Sequence, residues 1–315
     1  MNQSEHILFW STFEPTTDAD LDSWTNRQIR VSPFHKLALA SHVKLGHKTV
    51  VYTYQQFEPG QIPPEIEIRS AHHIFAAFRA HRALRAGHSI AHISDAIRLK
   101  RAAKCNGIVI DMDAVLLRDL PDDEGWCASM PAKQTGGFAP KWGSSHPPIV
   151  VHDQSWDGRA LGAFPFKVSA TSAAYAQALS HKIMRTLMAK PKTDSDAWNY
   201  VIWTMKQIVA KDKTTKAYPP NAFCPMPAWL KAGKCFSIES PTRLTGTTEL
   251  FGYTLPAIDD IIANSFTVQH FMESSFQKSG VVSDTFWAKV PDGCLVAREA
   301  EHVLGPDWRK QMTNI

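Results

Sequence analysis

Asp111 and Asp113 stand two positions apart, directly after the apolar run Gly107-Ile108-Val109-Ile110. A short β-branched run that is apolar on both faces reads as a buried strand, because it is too short for a helix and shows no alternation. The two acids then sit where the strand leaves its sheet. In open α/β sheets that carboxyl edge is where ligands collect, and two carboxylates at this spacing can bind a hard divalent cation together with the phosphates it neutralises. The plainer alternative is a turn in which either aspartate caps a loop or the next helix. Upstream, Asp95 and Arg98 are three residues apart on a helical stretch and share a face. That helix leads through Asn106-Gly107 into the acidic strand, so its Asp95/Arg98 face can look across the site; the alternative is a surface ion pair.

The elements that must position these groups follow in order. Residues 6–10 predict a first strand. Residues 12–30 are polar, acidic at Asp18, Asp20 and Asp22, and lack a sustained period, which predicts a loop or lid with few apolar anchors, to be closed by ligand. Ser32-Pro33 is a cap and first-turn pair that opens a helix stopped by Gly46, and residues 49–54 form the next strand. Strand, helix, strand with short joints begins a parallel α/β sheet. A turn at 59–64, a strand at 65–69, a helix over 71–87 and a helix over 94–105 follow, the last with Ser94 as its cap and Asp95 in its first turn. Beyond Asp113 the pattern predicts a strand at 166–170, a helix over 171–188, another over 194–209, an extended proline-rich stretch at 218–229, and a late strand at 265–271 that contains His270. No repeat or linker divides the chain, so one domain over residues 1–315 is expected.

Composition narrows the class. A chain of 315 residues that is 44% hydrophobic can bury a large core, and no segment has the apolar length to span a bilayer. The N-terminus lacks a basic-then-apolar signal pattern, and the five cysteines show no zinc or redox pairing. A soluble, cytoplasmic protein with reduced thiols is expected. Net charge is a mild +4, but residues 72–104 carry seven Lys/Arg and five His against one acid, Asp95. This stretch can face a polyanion or a diphosphate, unless it is simply a solvated helix face.

Three blocks carry a family resemblance: Ser94-Asp95-Ala96-Ile97-Arg98, then Cys105-Asn106-Gly107-Ile108-Val109-Ile110-Asp111-Met112-Asp113, then Leu116-Leu117-Arg118-Asp119-Leu120. Together they resemble the Asp-x-Asp core of retaining nucleotide-sugar glycosyltransferases, the group that includes capsular-polysaccharide transferases, Golgi mannosyl- and galactosyltransferases and glucosylating toxin domains. Phe9-Trp10-Ser11, the run from Val31 through Ser41, and Tyr52-Thr53-Tyr54 resemble the family's first strand, helix and second strand. Tyr218-Pro219-Pro220-Asn221-Ala222-Phe223 resembles its proline-rich segment, and the stretch from Ser265 to Phe271 its late strand ending in a histidine. The chain departs from the family at Asn106, usually a second glycine, at Met112, usually Thr or Val, in the 12–30 insertion, and in Phe271-Met272-Glu273 after the histidine.

The resemblance implies a single-domain type A glycosyltransferase fold, a mostly parallel Rossmann-like sheet flanked by helices, with a donor-binding half over about 1–125 and an acceptor-side half over about 126–315. It implies metal-dependent, retaining transfer from a nucleotide-diphosphate sugar, UDP before GDP, with Mn²⁺ or Mg²⁺. Trp10, Ser11, Asp95, Arg98 and Asp111 would hold the donor, Asp113, Asp111 and His270 the metal, and Asp111, Asp113 and Arg98 the chemistry. The acceptor it implies is a glycan or lipid-linked saccharide, with hydroxylated or hydroxymethylated DNA bases as the alternative that the basic run keeps open. Two rivals come from other classes. The run Ile110-Asp111-Met112-Asp113 also resembles the haloacid-dehalogenase phosphatases, in which Asp111 would be the nucleophile and Asp259-Asp260 would supply late metal-binding acids. However, that motif normally opens its domain, and here more than a hundred residues precede it. A catalytically silent sugar- or nucleic-acid-binding module would suit the ten tryptophans, although most tryptophans serve packing.

Overall fold

A computed structural model describes residues 4–129, 161–189, 212, 214–218, 220–223, 248–250, 253–255, 257–269, 286–290 and 292–314. In chain order the first elements are β1 (His6–Phe9), α1 (Leu21–Asn26), β2 (Gln28–Ile29), α2 (Pro33–Lys44), β3 (Thr49–Thr53), β4 (Gln56–Phe57), β5 (Glu67–Ser70), α3 (Ala77–Arg85) and α4 (Ile90–Cys105). They continue with β6 (Ile108–Val109), β7 (Ala114–Leu116), β8 (Gly125–Ser129), β9 (Leu161–Lys167), α5 (Ala173–Leu187) and β10 (Thr215–Tyr218).

Strands covered on both faces can be apolar throughout, and β1 and β3 are buried at every residue. They belong to a seven-stranded sheet in the order β10-β8-β9-β6-β1-β3-β5, in which β9 alone runs against its neighbours. On one face Ile7, Phe9, Val50, Tyr52 and Val109 pack with Ala80, Ile93, Ile97 and Ile183 from α3, α4 and α5. On the other, Leu8 and Val51 pack with Leu39 of α2 and with Met112. The architecture is a mixed α/β sheet with helices on both sides, and no helix among the described residues is long and apolar enough to cross a membrane.

Connectivity creates a crevice. From β1 the chain moves outward to β3 and β5, then returns to place β6 on the other side of β1. The carboxyl ends of β1 and β6 therefore flank the point at which strand order reverses, the place where open α/β sheets hold ligands. β6 is seated tightly there: a Cβ built on Gly107 would lie 2.5 Å from Ile7 Cδ1 and 2.9 Å from Glu5 O, so the close approach to β1 requires glycine. Asn106 ends α4 at φ +50°, a left-handed position that asparagine, like glycine, tolerates. That explains how Asn106 can stand where the resembling family usually has glycine.

Several boundaries differ from the sequence expectation. α4 is capped by Ser89 and starts at Ile90, which puts Ser94 and Asp95 inside the helix and buries both. The helix expected over 71–87 is a 3₁₀ turn at Ala71–His73 followed by α3. Pro220–Phe223 is a short helix within the stretch read as extended. The expected helix over 194–209 lies outside the described residues.

The 12–30 segment is more structured than its polarity predicts. Asp20 and Ser23 form a reciprocal cap for α1, and Trp24 is fully buried, its indole N–H donating to Thr12 O at 2.8 Å. Gln55 Nε2 donates to Trp24 O at 3.1 Å, and Arg27 bridges to the buried Asp18 at 2.7 Å. One core tryptophan and these bonds anchor the segment to the ends of β1 and β3. Amide exchange at Trp24 and Thr25 is expected to be slow in the free protein and little changed by nucleotide and metal. Fast exchange that slows only with ligand would restore the picture of a mobile lid.

At the opposite, amino edge of the sheet, three histidines cluster. His6 Nδ1 lies 3.0 Å from His42 Nδ1, the His6 and His47 rings stack at 4.2 Å, and His42 Nδ1 contacts Thr49 Oγ1 at 3.2 Å. Burial, with the like charge of His47, pushes His42 down to about 3 and keeps it neutral. A histidine whose folded value lies below its unfolded 6.5 contributes stability above pH 6.5 that is lost as pH falls toward the folded value. The stability advantage of the wild type over His42→Asn should therefore shrink by roughly 2 kcal/mol between pH 7 and pH 5. Urea midpoints of both proteins at the two pH values check this, and a gap independent of pH would mean that His42 is not held neutral by the fold.

Candidate active site

The acidic turn begins where the β6 ladder ends. Ile110 N still donates to Ile7 O at 3.2 Å, and Ala114 N donates back to Asp111 O at 3.1 Å, closing a turn over Asp111 to Ala114. β7 then leaves the main sheet and pairs antiparallel with Thr267–Gln269, while Leu116 N is fixed by Ser41 Oγ at 2.9 Å. Asp111 and Asp113 are thus presented by a turn anchored on both sides. Asp111 keeps a side-chain exposure of 29%, and Asp113 is buried at 9%.

Arg98 is the clamp behind this turn. Its Nη1 donates to Ile110 O at 2.9 Å and to Asp111 Oδ1, and its Nη2 donates to Asp95 Oδ1 at 2.8 Å. Asp95 and Arg98 are not the surface pair that their spacing alone allowed, since each side chain is only 5% exposed. Burial pushes the Asp95 carboxyl upward, Arg98 opposes that, and the Asp111 charge reinforces it. Burial also opposes the charge on Arg98, but Asp111 and Asp95 outweigh it and hold the guanidinium above its ordinary value. One oxygen of Asp95, Oδ2, is buried without a hydrogen-bond partner. A buried carboxylate oxygen left unpaired is costly, which accords with burial as the leading cause of the upward push on this carboxyl.

Across the crevice, Trp10 and Ser11 follow β1. The Trp10 indole donates to Arg30 O at 3.1 Å and its ring lies 4.3 Å from that of His35. Ser11 Oγ accepts from Tyr54 N at 2.9 Å and contacts Thr53 Oγ1 at 3.2 Å, so this hydroxyl ties the ends of β1 and β3 together. His35 was not among the residues singled out by sequence. It completes the α2 cap with Ser32, and burial pushes it down to about 3, so the wall beside Trp10 is uncharged. A capping residue with a ring close to an aromatic was the signal available for it.

Asp111 and Asp113 come together on one turn, and Arg98 and Asp95 join them from α4. His270 lies outside the described residues; the strand leading to it ends with Gln269 opposite Ala114, the neighbour of Asp113. Among the described residues no group of three or more His, Cys, Asp or Glu side chains converges as an ion site. Two carboxylates still fit a hard cation that keeps water and phosphate oxygens in its shell, which is how Mg²⁺ is commonly held beside a nucleotide. The basic run is partly spent inside the fold: Arg101 forks onto buried Glu5 at 2.8 and 3.0 Å, and Lys100 donates to Ile74 O at 2.9 Å.

No family model matches the chain, and no curated protein matches it.

Proposed function

We propose that the protein is a metal-dependent retaining glycosyltransferase that moves a sugar from a nucleotide-diphosphate donor, UDP-linked before GDP-linked, to an acceptor hydroxyl. The observation that carries this reading is the position of Asp111 and Asp113 at the carboxyl edge, at the point where strand order reverses between β1 and β6, with Arg98 holding Asp111 from behind. The seven-stranded sheet with one reversed strand supports the type A glycosyltransferase fold that the motifs resemble.

In this reading Asp113 and the partly exposed Asp111 would hold Mn²⁺ or Mg²⁺, which would supply positive charge beside the donor diphosphate. When bound, the cation neutralises negative charge that grows on the leaving diphosphate oxygen. Arg98 acts through Asp111: its fork fixes the rotamer of that carboxylate, so the ligand geometry is set before donor arrives. Asp95 supports the site from behind, through its ion pair with Arg98, and Trp10 forms an apolar wall of the nucleotide side. The phosphatase alternative is disfavoured by the place of the motif, with more than a hundred residues before it. A glycan or lipid-linked saccharide is the acceptor proposed from the resemblance, and a reducing cytoplasmic setting fits the free thiols of Cys105, Cys127 and Cys294.

Calorimetry with UDP, with Mn²⁺ and then with EDTA, tests the reading. Binding is expected only with the cation, because paired carboxylates otherwise repel a diphosphate. Equal affinity in EDTA would remove the metal-dependent step, and a screen of nucleotide sugars for slow Mn²⁺-stimulated hydrolysis identifies the donor.

A further inference from the structure

The outer face of α3 is built differently from the rest of the basic run. Its inner residues Ala77, Ala80, Ala83 and Leu84 are buried in the core, which fixes the helix and leaves Phe78, Arg79, Arg82 and Arg85 outside. Positions 78, 82 and 85 follow helical spacing, and Arg79 lies one turn from Arg82, so the four form one continuous stripe. Phe78 is 55% exposed, one of two large hydrophobics on the described surface, and the Arg79 guanidinium sits 5.6 Å from its ring centre.

Among the described residues no carboxylate forms an ion pair with the cations of this stripe; the acidic 12–30 segment also meets α3 through Asp18 O on His81 at 3.0 Å. The lone acid of residues 72–104, Asp95, is buried against Arg98 on α4. Among the described residues Arg79, Arg82 and Lys104 have no ion pair, and Arg85 is satisfied by the neutral Pro15 O at 3.2 Å. The surface continues onto α4: burial and the like charges of Lys104 and Arg79 hold Lys100 below its ordinary value, which places these cations within each other's field. Like charges gathered on one helix face without direct ion pairs raise the cost of the empty surface, and a polyanion relieves it.

We infer that the α3 face, with Phe78 flanked by Arg79 and Arg82 and extended by Lys104, is a docking surface for single-stranded nucleic acid. Arg79 and Arg82, one helical turn apart, offer guanidinium groups to a phosphate backbone, and the exposed ring of Phe78 offers a π-face on which an unstacked base can rest. An aromatic between unpaired arginines fits this ligand better than it fits an anionic bilayer: the apolar side of α3 is already used in the core, so the helix has no second face to insert. The inference stands on this surface alone and does not depend on sugar transfer at Asp111 and Asp113.

Fluorescence anisotropy of a labelled oligothymidylate, titrated with the full-length protein at several salt concentrations, tests it. With about three phosphates neutralised, affinity should fall roughly twenty-fold between 50 and 200 mM salt. Arg79→Glu with Arg82→Glu should abolish most binding and flatten that slope, while melting temperature is kept. Phe78→Ala should weaken binding on the order of ten-fold with the slope unchanged. Three outcomes would overturn the assignment: wild-type affinity in the double charge reversal, equal binding of polyglutamate, or binding to phosphatidylserine vesicles without binding to the oligonucleotide. Loss of UDP binding in the separate calorimetric test would leave this result untouched.

Discussion

Asp113→Asn is expected to lower kcat/KM by on the order of a hundred- to a thousand-fold, because in the proposed mechanism several kcal/mol of charge stabilisation at the leaving diphosphate would depend on a cation held by this carboxylate. The substitution keeps size and shape on a turn that Ala114 N, Leu116 N and the antiparallel partner of β7 already hold, so the fold should survive it. UDP binding and turnover should fall together, and excess Mn²⁺ should recover little, since the variant would lack the proposed ligand itself. If Asp113 serves only the turn, the opposite pattern results: turnover persists and the melting temperature drops. Steady-state kinetics and thermal melts on the same preparation separate the two. A variant with wild-type kcat/KM would remove Asp113 from the site.

The parts of this structure that were legible in sequence are those determined locally. Ser32-Pro33 marked the start of α2 because a hydroxyl cap and an N1 proline act within one turn, and the all-buried strands showed themselves as short runs, β1 largely apolar and β3 β-branched and aromatic. The carboxyl-edge position of Asp111 and Asp113 was equally readable from a strand that ends in acids. What was misread depended on distant partners. Ser89 and Ser94 are both acceptable caps for α4, and the choice went to Ser89 because Ile90 and Ile93 add a turn to the apolar face that packs on the sheet. Nothing local marks Trp24 as a core residue; it is buried because Thr12, Tyr54 and Gln55, at the ends of β1 and β3, supply its partners. Arg98 showed its pairing with Asp95 through helical spacing, but its second carboxylate stands thirteen residues on, beyond any helical period.

That second partner changes what Arg98 is expected to do. Arg98→Ala removes the cation shared by Asp95 and Asp111 and leaves carboxylates at a buried position, a loss of about 3–5 kcal/mol by the usual cost of breaking a buried ion pair. The loss should depend on pH in a defined direction. Without the guanidinium, burial and the Asp111 charge act on Asp95 unopposed, and its folded value rises further above the unfolded one. A folded acid that binds protons more tightly than the unfolded chain gains stability as pH falls through its folded value, so the gap between wild type and Arg98→Ala should narrow from pH 8 to pH 5.5. Histidine effects are common to both proteins and cancel in the gap. Arg98→Lys retains the charge, but one ammonium on a flexible stem cannot reproduce the planar fork onto Asp95, Asp111 and Ile110 O. It should keep most of the stability and still lose transfer, through a misplaced Asp111, at a cost on the order of a few kcal/mol in kcat/KM. Urea unfolding at the two pH values, with kinetics on Arg98→Lys, reads both effects. A pH-independent gap would contradict the burial of Asp95 as the source of the cost, and a fully active Arg98→Lys would show that the clamp serves the fold and not the reaction.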